Sequence, residues 1–361
     1  MATTQTSTTQ SLTPQTLTPQ TLTTQTLTPN LDPTIPAPMI NVAEYGFEGR
    51  FEEWAEQAEY FEYSKAANPI GSGHVPPVPL RRFDPELYLD APTGVIPLDL
   101  SGELGIGTGA ATSPALLANF VSIRADEQID TSPNATSQLY YVLYGRGFAA
   151  VNGRLIAWEK GDFVTLPAGC RSVFYAAADT AMYWVHDEPL MRYLGTEATR
   201  PRFEATKFRR ADAVAKLEEI AARPGANEKS RVSVLLANAN QEQTLTITHV
   251  LWAMFGVLPP NQVQRPHRHQ SVALDLILDA PASGCYTLLG TRLDERGDIV
   301  DPTRVDWRTG CAFTTPPGMW HAHYNETDEP AHLIPVQDAG LHTHLRSLDI
   351  KFTQRRDLVA G

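Results

Sequence analysis

From about residue 93 the chain is written in short apolar runs separated by Gly, Pro and Asp: QLYYVLYGRG, FAAVNGRLIAW, GDFVTLPAG and TAMYWVH, then, further on, RVSVLLA, THVLWAMFGVL, SVALDLILDA and GCYTLLG. Short runs with turn signals roughly every 8–12 positions predict an all-β sandwich or barrel. Residues 205–222 (ATKFRRADAVAKLEEIAA) break the pattern, because Phe208, Ala211, Val214, Leu217 and Ala221 recur at helical spacing. One helix is therefore expected between two β-units. Near the start, residues 43–66 set Phe51, Trp54, Tyr60 and Phe61 among acidic residues, which predicts an amphipathic helix. The proline-rich stretch HVPPVPLRRFDPELY after it reads as an extended arm, either packed on another domain or subunit or left as solvated linker.

The two β-units repeat an order of landmarks. The first has Gly145-Arg146-Gly147, Gly161-Asp162-Phe163 and Pro167-Ala168-Gly169; the second has Gly284, Gly310 before Ala312-Phe313, and Pro316-Pro317-Gly318. This is a divergent internal duplication with a hairpin inserted near 291–305 in the second copy. The organisation that follows is a Thr/Gln/Pro-rich tail over 1–38, expected to be disordered, and a helical and extended arm over 39–92. A first barrel over 93–200, a helical linker over 201–230 and a second barrel over 231–361 complete it. The tail carries the repeat SLTPQ, TLTPQ, TLTTQ, TLTPN over residues 11–30, whose composition cannot bury enough apolar surface to offset chain entropy.

Composition narrows the function. A net charge of −12 leaves no basic excess to neutralise phosphates, which argues against nucleic-acid or membrane-surface partners. No apolar run is long enough for a membrane helix, and the first thirty residues lack the features of a secretory signal. Cys170, Cys285 and Cys311 lack metal-type spacing and read as reduced thiols of a cytoplasmic protein.

The candidate chemistry sits in the second unit. His267-Arg268-His269 places two imidazoles on one face of a strand, since residues two apart point the same way. About fifty residues later, Pro316-Pro317-Gly318-Met319-Trp320-His321-Ala322-His323 is a turn followed by a second H-x-H strand, able to deliver a third imidazole, His321, from the far side. Three neutral imidazoles suit Fe(II), Zn, Ni, Mn or Cu and leave positions open. In the first unit the same count falls on Ser132-Pro133-Asn134 and Ser172, so that barrel is expected to hold no metal.

The spans PHRHQSVALDLIL and TTPPGMWHAHYNETDEP resemble the metal-binding motifs of gentisate 1,2-dioxygenase-like bicupins, a group that includes salicylate and 1-hydroxy-2-naphthoate dioxygenases. The similarity continues through GLHTHLRSLDIKF and, more weakly, through VPPVPLRRFDPELY and the first barrel. The resemblance implies an all-β bicupin: two tandem jelly-roll barrels with a few peripheral helices. It also implies an Fe(II) site at His267, His269 and His321, dioxygen and a small molecule as substrates, and a homo-oligomer. Where most cupins add a glutamate ligand, this chain has Ala273 and Leu274. The family usually keeps its metal in the N-terminal barrel, and this chain inverts that.

Further residues are candidates around the metal. The resemblance puts His323 near the substrate hydroxyl as acid or base, the alternative being a histidine held by backbone. Gln270 is a contact for dioxygen or substrate, or a solvated rim residue. Asp275 stands where the family has a carboxylate-gripping arginine; an interior carboxylate would repel an anionic substrate, which points to a neutral or amine-bearing one. An outward bulge, or a pair with Arg346, is the alternative for Asp275. Trp252, Met254 and Gly256 share a strand face and form a pocket wall or a core stripe. His342, His344 and Arg346, expected in a final strand, border the pocket or form a free edge. His74, His186, His249 and His332 are assigned to structure. The expected activity is a mononuclear non-haem Fe(II) dioxygenase cleaving a ring or C–C bond. The alternatives are a non-redox metal cupin (isomerase, lyase or hydrolase) and a non-catalytic binding protein.

Overall fold

The computed structural model describes residues 57–225 and 232–353. The chain divides into two units, Met1–Phe61 and Glu62–Gly361, and both barrels lie in the second. The Thr/Gln/Pro tail and most of the expected 43–66 helix lie outside the described residues; within them only Tyr63–Ala66 is helical. Among the described residues no helix is long and apolar enough to cross a membrane.

Each half is built from eight strands in two facing sheets. The first uses Leu117–Ile123, Gln128–Asp130, Ser137–Tyr144, Arg146–Val151, Arg154–Glu159, Phe163–Pro167, Ser172–Ala176 and Thr180–His186. The second uses Trp252–Leu258, Gln262–Arg268, Ala273–Asp279, Cys285–Gly290, Thr303–Asp306, Ala312–Thr315, Trp320–Asn325 and Ala331–Gln337. In both halves one sheet runs sixth-third-eighth-first and the other second-seventh-fourth-fifth. That identical jelly-roll order makes the duplication physical, and the all-β bicupin architecture follows from it. The arm before the first barrel adds Arg82–Phe83 to the edge of the second barrel, pairing Arg82 with Phe313. The expected 205–222 helix is split, with a strand Thr206–Phe208 against the first barrel and a helix Arg210–Ala221 after it.

The larger sheets of the two barrels share one core, which joins Phe120, Leu139 and Val185 of the first to Leu274, Leu276 and Val336 of the second. This explains the unbroken apolar run around SVALDLIL, since a strand covered on both faces has no solvated side to mark with polar residues. Leu274 and Leu276 face the other barrel, so Ala273 and Asp275 face their own barrel's interior. One end of that interior is plugged by Leu289, Trp307 and Phe313, which confines the open space to the other end.

Both halves close with the same device. The last strand runs into Asp187 or Asp338, a short helix follows (Glu188–Leu194 or Ala339–His344), and a left-handed residue ends it, Gly195 at φ 61° or Arg346 at φ 58°. Each aspartate accepts the backbone N–H groups at the start of its barrel's third strand: Thr136 and Ser137 at 2.8 and 2.9 Å, and Val272 at 2.9 Å. The final-strand placement expected for His342, His344 and Arg346 is therefore corrected: the first two are helical, and Arg346 sits just beyond the helix end.

Candidate metal centre

His267 is in the Gln262–Arg268 strand and pairs directly with His321 of Trp320–Asn325; His269 follows the first of these strands. All three are buried, and one ring nitrogen from each lies within 4.8 Å of the other two. Which nitrogen faces inward is fixed by the other one. His267 Nδ1 is 3.0 Å from the Arg265 carbonyl oxygen, His321 Nδ1 3.0 Å from that of Met319, and His269 Nδ1 2.8 Å from that of Ser271. A carbonyl oxygen can only accept, so each Nδ1 carries the hydrogen and each Nε2 keeps a lone pair. Three neutral donors held in this way fit a divalent transition metal, whose nitrogen ligands stand at about 2.0–2.1 Å and whose histidines characteristically give their second N–H to a carbonyl.

A fourth buried imidazole has a different setting. His323 Nδ1 lies 2.8 Å from Thr287 Oγ1, which also receives Trp307 Nε1–H at 2.8 Å. Indole nitrogen only donates, so Thr287 Oγ1 accepts from Trp307, and the same oxygen fixes the orientation of the His323 ring through Nδ1.

These groups line a cavity of about 250 Å³. His267, His321, His323, Gln264 and Phe352 come from one sheet and its edge; Trp252, Met254, Asp275 and Gln337 come from the facing sheet. Asp275 is 2% exposed and accepts Thr315 Oγ1–H at 2.7 Å. Ser271 Oγ bridges His269 Nδ1 (3.1 Å) and Gln337 Oε1 (2.8 Å). Phe352, in the two-residue strand Lys351–Phe352, stacks on His267 at 5.5 Å.

Several expected neighbours stand elsewhere. Gln270 turns away, its Oε1 accepting the Asp349 backbone N–H at 2.8 Å. Gly256 lies further along the strand, between Ser233 and Leu333. His342 Nδ1 is 2.8 Å from Ser347 Oγ, and the Arg346 guanidinium donates to the His344 carbonyl. Among the assigned structural histidines, His332 pairs with Asp279 at 2.8 Å, and burial pushes His186 and His249 down to about 3 and about 4. The three cysteines are free and buried.

Gln264, Ser271, Gln337 and Phe352 were not anticipated. Gln264 is three residues from His267, an odd step that a regular strand would turn to the opposite face; a bulge between them brings it inside. In the first barrel the Thr131 hydroxyl lies 3.2 Å from that of Ser172, whereas Ser132 is exposed and its Oγ accepts the Ser172 backbone N–H at 3.2 Å. Strand pairing sets Tyr140 where the second barrel has Asp275 and Trp184 where it has Pro335. Their rings stack at 5.3 Å and, with Phe174 and Trp158, fill that interior.

No family model matches the chain. Among curated relatives, gentisate 1,2-dioxygenase 1 of Aquipseudomonas alcaligenes is 30% identical over 105 residues, covering 29% of this chain and 26% of that protein. The 5-nitrosalicylic acid 1,2-dioxygenase of a Bradyrhizobium species is 28% identical over 93 residues, covering 25% of this chain and 45% of that one. The chain thus spans less than half the length of either relative. Salicylate 1,2-dioxygenase of Pseudoaminobacter salicylatoxidans is similar in structure. A single-site variant with gentisate bound superposes with a TM-score of 0.63 at 13% identity, over 89% of this chain and 98% of that one. A second gentisate adduct gives 0.62 at 12% identity, over 87% and 92%. The chain has a two-barrel cupin fold similar to that of salicylate 1,2-dioxygenase and, over about a quarter of its length, is similar in sequence to gentisate-type dioxygenases.

Proposed function

We propose that the protein is a mononuclear non-haem Fe(II) dioxygenase, with His267, His269 and His321 as ligands, cleaving a ring or C–C bond of a small molecule in the second barrel. The observation that supports this reading is the matched set of three Nδ1–H···O=C bonds, which makes Nε2 the lone-pair nitrogen of each ring in a buried cluster whose ligand atoms lie within 4.8 Å of one another beside a cavity. Bound there, Fe(II) would supply the one-electron chemistry that a closed-shell substrate needs to react with dioxygen. The sequence and fold relatives, whose names are those of dioxygenases, support the same reaction class.

The chain's own residues have separate tasks. Trp252, Met254 and Phe352 give the cavity apolar surface that excludes water. His323, oriented by Thr287 and Trp307, is placed to exchange a proton with a substrate oxygen as acid or base. A volume of about 250 Å³ is below the roughly 300–1,000 Å³ of drug-sized sites, which favours a single-ring or smaller substrate.

Metal analysis of the purified protein, followed by oxygen-electrode assays of the Fe(II)-loaded form with aminophenols, catechols and diketones, tests the proposal. Stoichiometric iron with substrate-dependent oxygen uptake, both lost in His267→Ala, is the expected result. Tightly held zinc, nickel or manganese, with no uptake after iron loading, would replace the dioxygenase with a non-redox metal cupin.

A further inference from the structure

The strand that carries His267 brings a second polar side chain to the same cavity. Gln264 is 3% exposed and lines the space beside the three histidines. It pairs with His323 as His267 pairs with His321, and the bulge between the two pairs turns both side chains inward. Its amide is only half satisfied. Oε1 is buried with no hydrogen-bond partner, while Nε2 lies 3.4 Å from His267 Nε2. A buried amide oxygen without a donor is costly, and such a group calls for a function or an absent partner.

The spacing identifies the partner. Two donors at about 2.1 Å from one ion stand ~3.0 Å apart at a right angle and ~3.4 Å apart at the tetrahedral angle. The Gln264 amide is therefore as far from His267 Nε2 as neighbouring ligands of a single metal are from each other. With its hydrogen on Nδ1, His267 accepts from the Gln264 amide through Nε2, and an ion bound at that nitrogen would claim the same lone pair and face the positive end of the amide. A half-turn about the last side-chain bond exchanges amide nitrogen and oxygen with little other movement. It sets the carbonyl oxygen toward the ion, and because Oε1 has no partner where it now sits, no hydrogen bond to that oxygen is lost.

We propose that Gln264 Oε1 is a fourth ligand of the metal in the second barrel, a neutral amide oxygen beside three imidazoles. Carbonyl oxygen and imidazole together suit the divalent first-row metals considered above. The inference rests on the three-histidine metal centre and deepens that reading by extending its ligand set.

The test compares metal-free wild type, Gln264→Leu and Gln264→Glu. Competition with a chromogenic chelator reads Zn(II) affinity, and the visible absorption of the Co(II)-loaded protein reads the ligand set directly. Gln264→Leu should weaken zinc binding by about tenfold or more, and Gln264→Glu, with an anionic oxygen at the same reach, should tighten it by a similar factor. The cobalt d–d bands should shift in both variants. Urea unfolding of the metal-free protein separates a lost ligand from a damaged fold: Gln264→Leu should be at least as stable as wild type, because an unpaired buried oxygen has been removed. Unchanged zinc affinity and cobalt bands in Gln264→Leu overturn the proposal, as does an affinity in Gln264→Glu no higher than wild type, or a weakening in Gln264→Leu that only tracks a loss of metal-free stability. In each of those cases abolition of binding by His267→Ala leaves the three-histidine centre standing. A wild type that binds neither ion overturns both.

Discussion

Ser271→Ala tests the orientation of the metal site through a single oxygen atom. In the wild type, Ser271 Oγ receives part of the His269 Nδ1 hydrogen at 3.1 Å and gives its own hydrogen to Gln337 Oε1 at 2.8 Å. The Ser271 carbonyl, at 2.8 Å, accepts the same Nδ1 hydrogen and survives the substitution. His269 therefore keeps its tautomer and loses only the lateral restraint. Removing a partner of a metal-bound histidine typically costs 10–100-fold in metal affinity, and with the shorter contact retained the lower end applies. The expected loss is about tenfold, or ~1.4 kcal/mol. Gln337, 3% exposed, also loses its donor, which costs about 1–3 kcal/mol of stability where water cannot replace it. Competition with a chromogenic chelator for Zn(II) reads the first quantity, and urea unfolding of the metal-free protein reads the second. Ser233→Ala is the control, because Ser233 lines the same cavity and its buried Oγ has no hydrogen-bond partner; its metal affinity should stay within about twofold. Unchanged affinity in Ser271→Ala would show that His269 is not oriented in this way and would undercut its assignment as a ligand.

Two further substitutions probe the duplicated frame. Burial holds His186 at about 3, below its unfolded value of roughly 6.5, so as pH falls through that window the unfolded chain takes up a proton that the native state refuses. His186→Gln, which installs the residue found at the equivalent Gln337, should remove that penalty. The variant-minus-wild-type unfolding free energy should then grow by about 1.4 kcal/mol per pH unit below 6.5, measured by denaturant titration at several pH values; parallel pH curves would refute it. Taking the difference is essential, because Asp338, pushed up to about 7 by burial, contributes the opposite slope between roughly 4 and 7. Arg346→Gly should stabilise the protein by about 0.5–1 kcal/mol in a urea melt. The position is left-handed at φ 58°, and its counterpart Gly195 already meets the same requirement without a side chain; a lower midpoint would mean that the exposed Arg346–His344 contact outweighs the backbone strain.

The parts of the site legible in the sequence were those governed by spacing within one strand. His267 and His321 needed only alternation and a turn. The facing of Asp275 cannot be read by counting from His267, because a change of strand intervenes near 269–272. It is set instead by Leu274 and Leu276, which are claimed by the shared core, leaving the odd-numbered positions to the barrel. Gln264 was hidden by a bulge, and Phe352 by a two-residue strand with no periodicity to read. The one-residue slip between Ser132 and Thr131 shows how sharply register acts, since it exchanges an exposed hydroxyl for a buried one. The helix at 339–344 did have a signal: V-x-D-x-x-L at 185–190 recurs at 336–341. Glycine landmarks alone did not extend the duplication that far, because the second copy ends this helix with Arg346.

That duplication also explains why the first barrel cannot be a dormant copy of the second. Its missing histidines are the smaller difference. Tyr140 occupies the position of Asp275, Trp184 that of Pro335, and Phe174 stands two residues after Ser172 as His323 does after His321. The Tyr140 hydroxyl is bonded to Thr131 Oγ1 and Gln138 Oε1, both at 2.9 Å, so the ring is held across the space that the second barrel keeps open. Imidazoles restored at 131 and 172 would meet a packed aromatic core, and admitting a metal and a ligand would require removing several buried rings at roughly 3–5 kcal/mol each. Ligands and cavity are thus coupled: in the second barrel the small or polar side chains opposite the histidines matter as much as the histidines, because they keep an open volume beside the metal.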